Sequence, residues 1–415
     1  MIAGSFCCAF ILILVSQFNK VATDSNFSYQ TENHLHESLM EHYDRRVRPV
    51  RNVSDTVTLT FGAALYQLVS FNSKMETVTL LMWQRLYWVD EMLSWEPEDN
   101  DDITNLRFMQ GTLWIPDIHP YNDIGLFDAN KFLESIPLTV DHMGLVGWYR
   151  PVSFETTCSL DVTTFPYDSQ ECVITIGSWQ YDYSEVQIRC EQPTLDISGY
   201  SSHSLWELKG TSCHEDTVTG HTKNPKLYSV IQIAVKFDRL SSFYVRNLIL
   251  PNALLLALSS LTFFLPGESG DRIAFGATVT LALCVNLVIV IDFIPETSKT
   301  FPNLCNYYLA SIFCSGFSLL LATISLNTHV WLLHRRNKAT NESIMELANM
   351  ATVASAQQFN LQPKKKQANG DVSNHRQRHS TMFFQSIRKI DLTLGMLYLT
   401  GTSIYSFLFI NLTRG

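Results

Sequence analysis

One apolar segment of the chain carries a stripe of residues suited to ion transport. At a rise of about 1.5 Å per residue, a helix from Asp271 to Asp292 is about 31 Å long, close to the thickness of membrane hydrocarbon. At about 100° per residue, one face of this helix holds a single set of side chains. They are Asp271, Ala274, Thr278, Leu281, Val285, Val288 and Asp292. Carboxylates at both ends of the stripe fit either ordinary charged helix ends or the wall of a cation pore.

A pair of cysteines, Cys158 and Cys172, forms the second chemical feature. They enclose thirteen residues, with Phe165-Pro166-Tyr167-Asp168 in the middle. In an oxidising compartment, a disulfide between them would close a small, stiff loop that carries Asp168 at its tip. An ordinary disulfide hairpin in a secreted domain is the simpler alternative.

The hydrophobic segments predict how these features lie in a membrane. The chain has 415 residues, of which 46% are hydrophobic, and a net charge of -9. A short apolar run at 6–16 predicts a secretory signal rather than an anchor. Four longer apolar segments can each cross a bilayer as a helix, and they lie near 243–265, 272–294, 303–327 and 390–411. Lysine and arginine concentrate between the third and fourth segments, which places that link in the cytoplasm and both termini outside.

This topology divides the chain into five predicted parts. They are a signal peptide (1–23), an extracellular domain (24–242), three transmembrane helices (243–328, with the helix that carries the stripe at about 272–294), a cytoplasmic loop (329–389) and a fourth helix with a short external tail (390–415). Alternating segments such as Val57–Phe61, separated by turn residues, predict an all-β, immunoglobulin-like sandwich for the first domain. Asn26, Asn52 and Asn411 begin glycosylation sequons on the outer side.

Several segments together resemble one membrane-protein family. The Cys158–Cys172 loop, with its Phe-Pro-x-Asp core, resembles the signature loop of the Cys-loop pentameric ligand-gated ion channels. Tyr228 stands eleven residues before Arg239, a position similar to that of the third-loop tyrosine in nicotinic acetylcholine receptor subunits. Further nicotinic-like segments lie at 41–50, 81–95, 114–122 and 177–182. The resemblance implies a cation-selective subunit of a homo- or hetero-pentamer, with a four-helix membrane bundle, in the plasma membrane and typically at a synapse.

The resemblance also implies an aromatic ligand site between neighbouring subunits. Tyr121, Trp179 and Tyr228 would come from one subunit and Trp83 from the next. Aromatic faces carry negative quadrupole charge, so each contact with an ammonium group contributes about 0.5–2 kcal/mol. The expected agonist is therefore a small molecule, an amine. Taken singly, most tryptophans and tyrosines in a β-sandwich pack in its core or interfaces.

Pore and gating roles follow from the same resemblance. Asp271 and Asp292 would form acidic rings in a pentamer, and Leu281 would match the hydrophobic gate. Anion-selective relatives carry Pro-Ala before the basic residue at the inner mouth, whereas this chain has Gly270-Asp271-Arg272. Ala274 replaces the usual hydroxyl residue, which leaves conductance and divalent permeability open.

Three residues resemble the positions that couple ligand binding to gating in this family. They are Asp168, Arg239 and Pro295. Asp168 and Arg239 could instead be plain surface charges. Coupling of this kind requires that the ligand bind one conformation of the channel more tightly than the other.

The third binding loop departs from the nicotinic pattern. Acetylcholine-binding subunits carry adjacent cysteines at its tip, preceded by an aromatic residue, whereas this chain has Ser212-Cys213 preceded by Lys209-Gly210-Thr211. Acetylcholine is therefore doubtful as the agonist. Cys190 is the only other unassigned cysteine of the extracellular part, so a Cys190–Cys213 disulfide is predicted. Two free or intermolecularly paired thiols are the alternative.

Two function classes compete. The first is a ligand-gated cation channel subunit. The second is an accessory subunit that assembles with other Cys-loop subunits but neither binds agonist nor conducts alone. An enzyme is disfavoured because the sequence has no nucleophile motif, phosphate loop or metal-ligand spacing. The expected partners are an agonist, other subunits and membrane lipid, with no nucleic acid, metal or cofactor.

Overall fold

The computed structural model describes residues 29–125, 136–220, 225–266, 271–295, 301–357 and 370–414. The predicted signal peptide (1–23) and the Asn26 sequon lie outside these residues. The chain forms two compact units. The first comprises Met1–Leu160 and Ser169–Arg239, and the second comprises Asp161–Asp168 and Leu240–Gly415.

The first unit is a β-sandwich preceded by a helix, α1 (29–40). Its strands are β1 (Val57–Asn72), β2 (Thr77–Val89), β3 (Asn105–Phe108), β4 (Ile118–Pro120), β5 (Leu138–Asp141), β6 (Leu145–Thr157), β7 (Ser169–Ser178), β8 (Val186–Cys190), β9 (Trp206–Thr219) and β10 (Leu227–Arg239). A 3₁₀ turn spans Pro97–Asp99. One sheet has the order β3-β5-β6-β2-β1-β8 and the other β4-β7-β10-β9. Neighbouring strands are antiparallel except β1 and β8, which run parallel.

Alternating side chains build the core between the two sheets. In β2, every second residue from Val78 to Trp88 is buried. In β10, Ile231, Ile233 and Val235 are fully buried while the residues between them are more exposed. A period of two sends alternate side chains to opposite faces of a strand, so the outer faces remain available for function.

Within its described residues, the second unit contains four long helices. They are α2 (Ser242–Phe263), α3 (Asp271–Ile291), α4 (Asn303–Gln357) and α5 (Gly370–Arg414). By length and composition, each contains a segment that can cross a membrane, and the segments in the last two helices are Asn303–Ala351 and Arg388–Asn411. The helix α4 continues about thirty residues past the apolar segment predicted to end near 327. The polar composition of residues 359–376 predicts disorder. Residues 359–369 lie outside the described residues, whereas 370–376 begin α5.

Candidate functional site

Two aromatic side chains meet where two neighbouring strands end. Tyr121 directly follows β4 and Trp179 directly follows β7, and these strands pair at His119 and Gly177. The centroids of the two rings lie 5.0 Å apart, with 59° between the ring planes. Trp179 remains 52% exposed. This large aromatic ring is therefore braced by a second ring and leaves a π face exposed instead of burying it in the core.

Hydrogen bonds to Asp117 hold this pair of rings in place. One carboxylate oxygen of Asp117 accepts a hydrogen bond from the Ser178 hydroxyl at 2.6 Å. The other accepts from the backbone N–H of Trp179 at 3.0 Å and of Gln180 at 2.8 Å. The Tyr121 hydroxyl donates to the Ser178 carbonyl at 2.6 Å. Sequence reasoning missed Asp117 and Ser178, although both lie inside the segments that resemble binding loops.

Tyr121 also lies close to Gly177, and Tyr228 affects its pKa. Burial, the charge of Asp117 and the proximity of Tyr228 together raise the pKa of Tyr121 to about 12. Its hydroxyl therefore stays protonated at physiological pH. A Cβ atom added at Gly177 would come within 2.8 Å of the Tyr121 hydroxyl oxygen and 2.7 Å of a Val230 methyl carbon. Glycine at 177 thus permits the close approach of the tyrosine.

Tyr228 lies near the start of β10, opposite Val218 of β9, and is half-buried. Strand β9 ends at Thr219 and β10 begins at Leu227, so residues 220–226 join the two arms of the third loop, and 221–224 lie outside the described residues. The comparison of Ser212-Cys213 with cysteines at the tip of this loop is therefore wrong. Cys213 lies within β9, where it pairs with Ile233, because β9 extends to Thr219.

Both expected disulfides are present. Cys158 and Cys172 are joined, with 5.0 Å between their Cα atoms. Cys190 of β8 and Cys213 of β9 are joined, with Cα atoms 6.1 Å apart. The second bond connects an edge strand of one sheet to an edge strand of the other. It therefore cross-links the sandwich instead of shaping the binding loop.

Trp83 occupies a different surface. It is half-buried on β2 in the six-stranded sheet, where it pairs with Ala64 and Pro151. Within the described part of the first unit, no ring contact joins Trp83 to Tyr121, Trp179 or Tyr228. The other three expected site residues belong to the four-stranded sheet and the loops at its strand ends.

The remaining tryptophans of these segments are structural. Trp88, Trp95 and Trp114 are buried, and the Trp114 indole N–H donates to the Tyr181 hydroxyl at 3.3 Å. The backbone N–H of Trp114 donates to Tyr43, whose hydroxyl donates to the buried carboxylate of Asp90 at 2.6 Å. Burial raises the pKa of Asp90 to about 6. These contacts hold Trp114, at the start of the segment that resembles the first binding loop, against Tyr43 and Tyr181.

The stripe on α3 faces away from the rest of its own chain. All the stripe residues from Asp271 to Val288, and Asp292 just after the helix, are exposed, with Leu281 at 65%. The buried residues of this helix lie on the opposite side, and they are Arg272, Gly276, Val279, Leu283 and Val290. The helix thus packs by one face and offers the stripe with terminal carboxylates to solvent or to other subunits.

Comparisons with known proteins agree with this architecture. The family model for the neurotransmitter-gated ion-channel ligand binding domain matches residues 32–241, and that for the neurotransmitter-gated ion-channel transmembrane region matches residues 248–393. The chain belongs to the neurotransmitter-gated ion-channel family. Members of this family are ion channels and not enzymes, and the two domains are consistent with pentameric assembly.

Similar proteins are neuronal acetylcholine receptor subunits. The alpha-2 subunit of Homo sapiens is 33% identical over 307 residues, which cover 72% of this chain and 56% of that subunit. The alpha-5 subunit of Gallus gallus is 31% identical over 324 residues, which cover 77% and 68%. The alpha-6 subunit of Rattus norvegicus is 31% identical over 300 residues, which cover 72% and 60%. The chain therefore spans little more than half the length of some of these relatives.

In this channel subunit, the residues expected to couple binding to gating are buried. Asp168 is 1% exposed and Arg239 is 8% exposed, which argues against plain surface charges. The guanidinium carbon of Arg239 lies 4.1 Å from the centroid of the Trp206 ring. Pro295 is also buried.

Aromatic contacts in the second unit connect three further parts of the channel subunit. The ring of Phe165, in the disulfide loop, lies 5.0 Å from that of Tyr244 at the start of α2. Tyr244 in turn lies 5.9 Å from Phe293, in the turn after α3. The backbone N–H of Asn303 donates to the carbonyl of Thr163 at 3.0 Å. Contacts of the disulfide loop thus reach the start of α2 and the start of α4, and Tyr244 extends them to the turn after α3.

A buried ion pair anchors the first turn of α3 in this family member. Arg272 is 0% exposed, and its guanidinium lies 3.1 Å from the carboxylate of Asp391 on α5. The Arg272 Nε–H donates to the Thr262 carbonyl at 2.7 Å, and the Ser325 hydroxyl lies 2.9 Å from one Asp391 oxygen and 3.0 Å from the other. Arg272 follows the exposed Asp271 in sequence, but its basic side chain is buried on the side of the helix opposite the stripe.

Proposed function

We propose that this subunit contributes to a ligand-gated, cation-selective channel of the plasma membrane. The observation that carries the proposal is the exposed stripe on α3, which runs from Asp271 to Asp292 while the opposite face is buried. A stripe of small, hydroxyl and apolar residues with acidic ends is not suited to contact with lipid. It becomes a set of rings when five such helices surround one axis.

Charge and hydrophobicity along the stripe support cation selectivity and gating. Acidic rings at both mouths would concentrate cations and repel anions. Arg272 is buried and paired with Asp391, so its charge does not reach the stripe. Asp271 is therefore the charged side chain that this turn contributes to the stripe. Leu281, Val285 and Val288 would form apolar rings, where a narrow lumen dewets and blocks ions.

The aromatic cluster supports a small amine as the agonist. Tyr121, Trp179 and Tyr228 of one subunit would form the principal face of the site, with Trp83 of a neighbour completing it, since Trp83 lies on the other sheet of its own chain. Acetylcholine is disfavoured because the connecting segment 220–226 has no cysteine and Val218, rather than an aromatic residue, faces Tyr228 across the strands. Ligand binding at this hairpin would be transmitted through Arg239, Asp168 and the turn at Pro295.

The topology that accompanies this function has four membrane crossings with both termini outside. Asn52 and Asn411 are exposed, as glycosylation of both would require. In this arrangement the sandwich (24–242) faces the exterior and the link 329–389 faces the cytoplasm. The postsynaptic membrane is the expected location.

An accessory subunit is the second candidate function. The hairpin favours it, because the missing aromatic residue opposite Tyr228 weakens the site for ammonium ligands. Such a subunit would contribute its α3 stripe to a mixed pentamer and would leave agonist binding to its partners.

Voltage-clamp recording of Leu281→Thr, expressed alone in oocytes with surface protein quantified, tests the proposal. A hydroxyl in the apolar ring eases wetting, so we expect a standing current absent from wild type. The current should vanish when sodium is replaced by a large organic cation and persist when chloride is replaced. Ile291→Thr is the control, because Ile291 is also exposed but lies outside the stripe, about 80° around the helix axis from Leu281.

The outcomes separate the two candidate functions. A standing cation current would establish a homomeric channel and would provide an assay for agonists, with Trp179→Ala as the variant that should not respond. Surface protein without current would favour the accessory subunit. An anion current would contradict the proposed selectivity.

A further inference from the structure

The third-loop hairpin is attached to the segment that follows Trp179. The backbone N–H of Tyr183 donates to the carbonyl of Leu227 at 2.7 Å, at the start of β10. One residue earlier, the Lys226 ammonium donates to a carboxylate oxygen of Asp182. The backbone N–H of Gly220 donates to the Lys226 carbonyl at 2.9 Å, which closes the hairpin at the same point. Lys226 is thus held at the junction of the second and third binding loops.

Hydrogen bonds keep the carboxylate of Asp182 ionised at this junction. The residue is 9% exposed. One of its oxygens accepts hydrogen bonds from the backbone N–H of Ser184 at 3.0 Å and from the Ser184 hydroxyl. The other oxygen accepts from Lys226. The bonds from Lys226 and Ser184 lower the pKa of Asp182 to about 2, so the carboxylate is charged at any physiological pH.

Lys226 also lies near the aromatic site, since it stands two residues before Tyr228 on the same arm of the hairpin. A Cβ atom added at Gly220 would come within 2.6 Å of the Tyr228 ring and 3.6 Å of the Lys226 carbonyl oxygen, so both residues lie close to Gly220. Hydrogen bonding to Asp182 raises the pKa of Lys226, and Glu185 and Tyr228 raise it further. The side chain of Lys226 is 60% exposed, in contrast to the 12% of Asp182. A permanent positive charge is therefore placed beside the aromatic residues that would receive a positively charged ligand.

We propose that Lys226 is a built-in cation that lowers the affinity of the aromatic site for small ammonium ligands by occupying the carboxylate of Asp182. This inference rests on the proposed function of Tyr121, Trp179 and Tyr228 as an amine site. Two effects act together: the lysine repels a second cation, and it removes the one buried carboxylate of this junction that could attract it. Lys226 thus determines specificity without being part of the aromatic wall.

Binding of tetramethylammonium to the purified full-length chain tests the inference. Lys226→Gln removes the charge and keeps a side chain that can donate a hydrogen bond to Asp182. We expect the dissociation constant for tetramethylammonium to fall about tenfold, with a gain that shrinks at high salt. Quenching of tryptophan fluorescence is the readout, and Trp179→Ala should abolish it. Lys226→Met serves as a second variant, and size-exclusion profiles check that assembly is unchanged.

Two further variants isolate the mechanism. Lys209→Gln is the matched control, because Lys209 pairs with Glu207 at 3.0 Å and Asp238 at 3.7 Å, close to the end of β10 opposite Lys226. It should leave tetramethylammonium binding unchanged. In the Lys226→Gln protein, the additional change Asp182→Asn should remove the gain, since the freed carboxylate is what attracts the ligand.

Equal affinities of wild type, Lys226→Gln and Lys226→Met would overturn the inference, as would a gain that survives Asp182→Asn. Currents from Leu281→Thr together with such equal affinities would leave the channel function standing and refute only the role of Lys226. Absence of binding in every variant, together with absence of current despite surface protein, would refute both the inference and the amine-gated channel.

Discussion

The helix α3 and the third-loop hairpin differ in how far local sequence determines them. In α3, a period of about 3.6 residues places Leu281, Val285 and Val288 on one face, and the structure exposes all three. In the hairpin, the register depends on which residue of β9 pairs with which residue of β10. Cys213 was expected at the tip but pairs with Ile233 inside the strands. Helical geometry is local, whereas strand register depends on a distant partner.

The two regions also differ in the burial of their basic residues. Arg272 of α3 is buried and bonded to Asp391, which is far away in sequence. Lys226 of the hairpin is largely exposed and bonded to Asp182. A buried pair that loses one partner leaves an uncompensated charge in a medium that cannot solvate it. We therefore expect substitutions in the Arg272–Asp391 pair to lower the stability of the protein. Substitutions in the Lys226–Asp182 pair should mainly change ligand binding.

The largest expected effect follows from removing the partner of Arg272. Asp391→Asn leaves the guanidinium buried without a counter-charge and should destabilise the helical unit by about 3–5 kcal/mol. Thermal unfolding of the detergent-purified protein and the amount of surface protein measure this. The double variant Arg272→Gln/Asp391→Asn should recover most of the loss. If Asp391→Asn unfolds at the same temperature as wild type, the ion pair does not anchor the helix.

A somewhat smaller effect is expected in the sandwich when the bond between its sheets is removed. Cys190→Ser/Cys213→Ser should lower the free energy of unfolding by about 2–4 kcal/mol, because the cross-link no longer restricts the unfolded chain. Cys284→Ser in α3, a free cysteine, is the control and should change the stability little. Chemical denaturation followed by tryptophan fluorescence measures both variants. Equal midpoints for the double variant and wild type would show that packing alone holds the sheets together.

The smallest expected change in stability concerns the loop that carries Trp179. Asp117→Asn replaces an acceptor-only carboxylate that receives three hydrogen bonds, so we expect a loss of about 1–3 kcal/mol and weaker binding of tetramethylammonium. Asp55→Asn, at an exposed position of the same unit, should change neither quantity. Unfolding midpoints and the fluorescence titration provide the comparison. Unchanged ligand binding in a destabilised Asp117→Asn protein would separate this network from the ligand site.

Much of the candidate site could be predicted because its signals are local. The motifs around Tyr121 and Trp179 indicated two loops, and the structure brings their rings to 5.0 Å. The role of Asp117 could not be predicted, since an aspartate in a loop has many possible partners. Only the pairing of β4 with β7 places it beside Ser178 and the Trp179 amide.

By itself, the sequence determined the β-sandwich, the four apolar helices, the stripe on α3 and the two cysteine pairs. Each depends on periodicity, segment length or the count of available cysteines, which are properties of neighbouring residues or of composition. Tertiary structure alone decided the position of Cys213 within β9, the burial of Arg272 against Asp391 and the contact of Lys226 with Asp182. These features join residues that are distant along the chain, and the energy of such contacts depends on burial and geometry that appear only when the chain is folded.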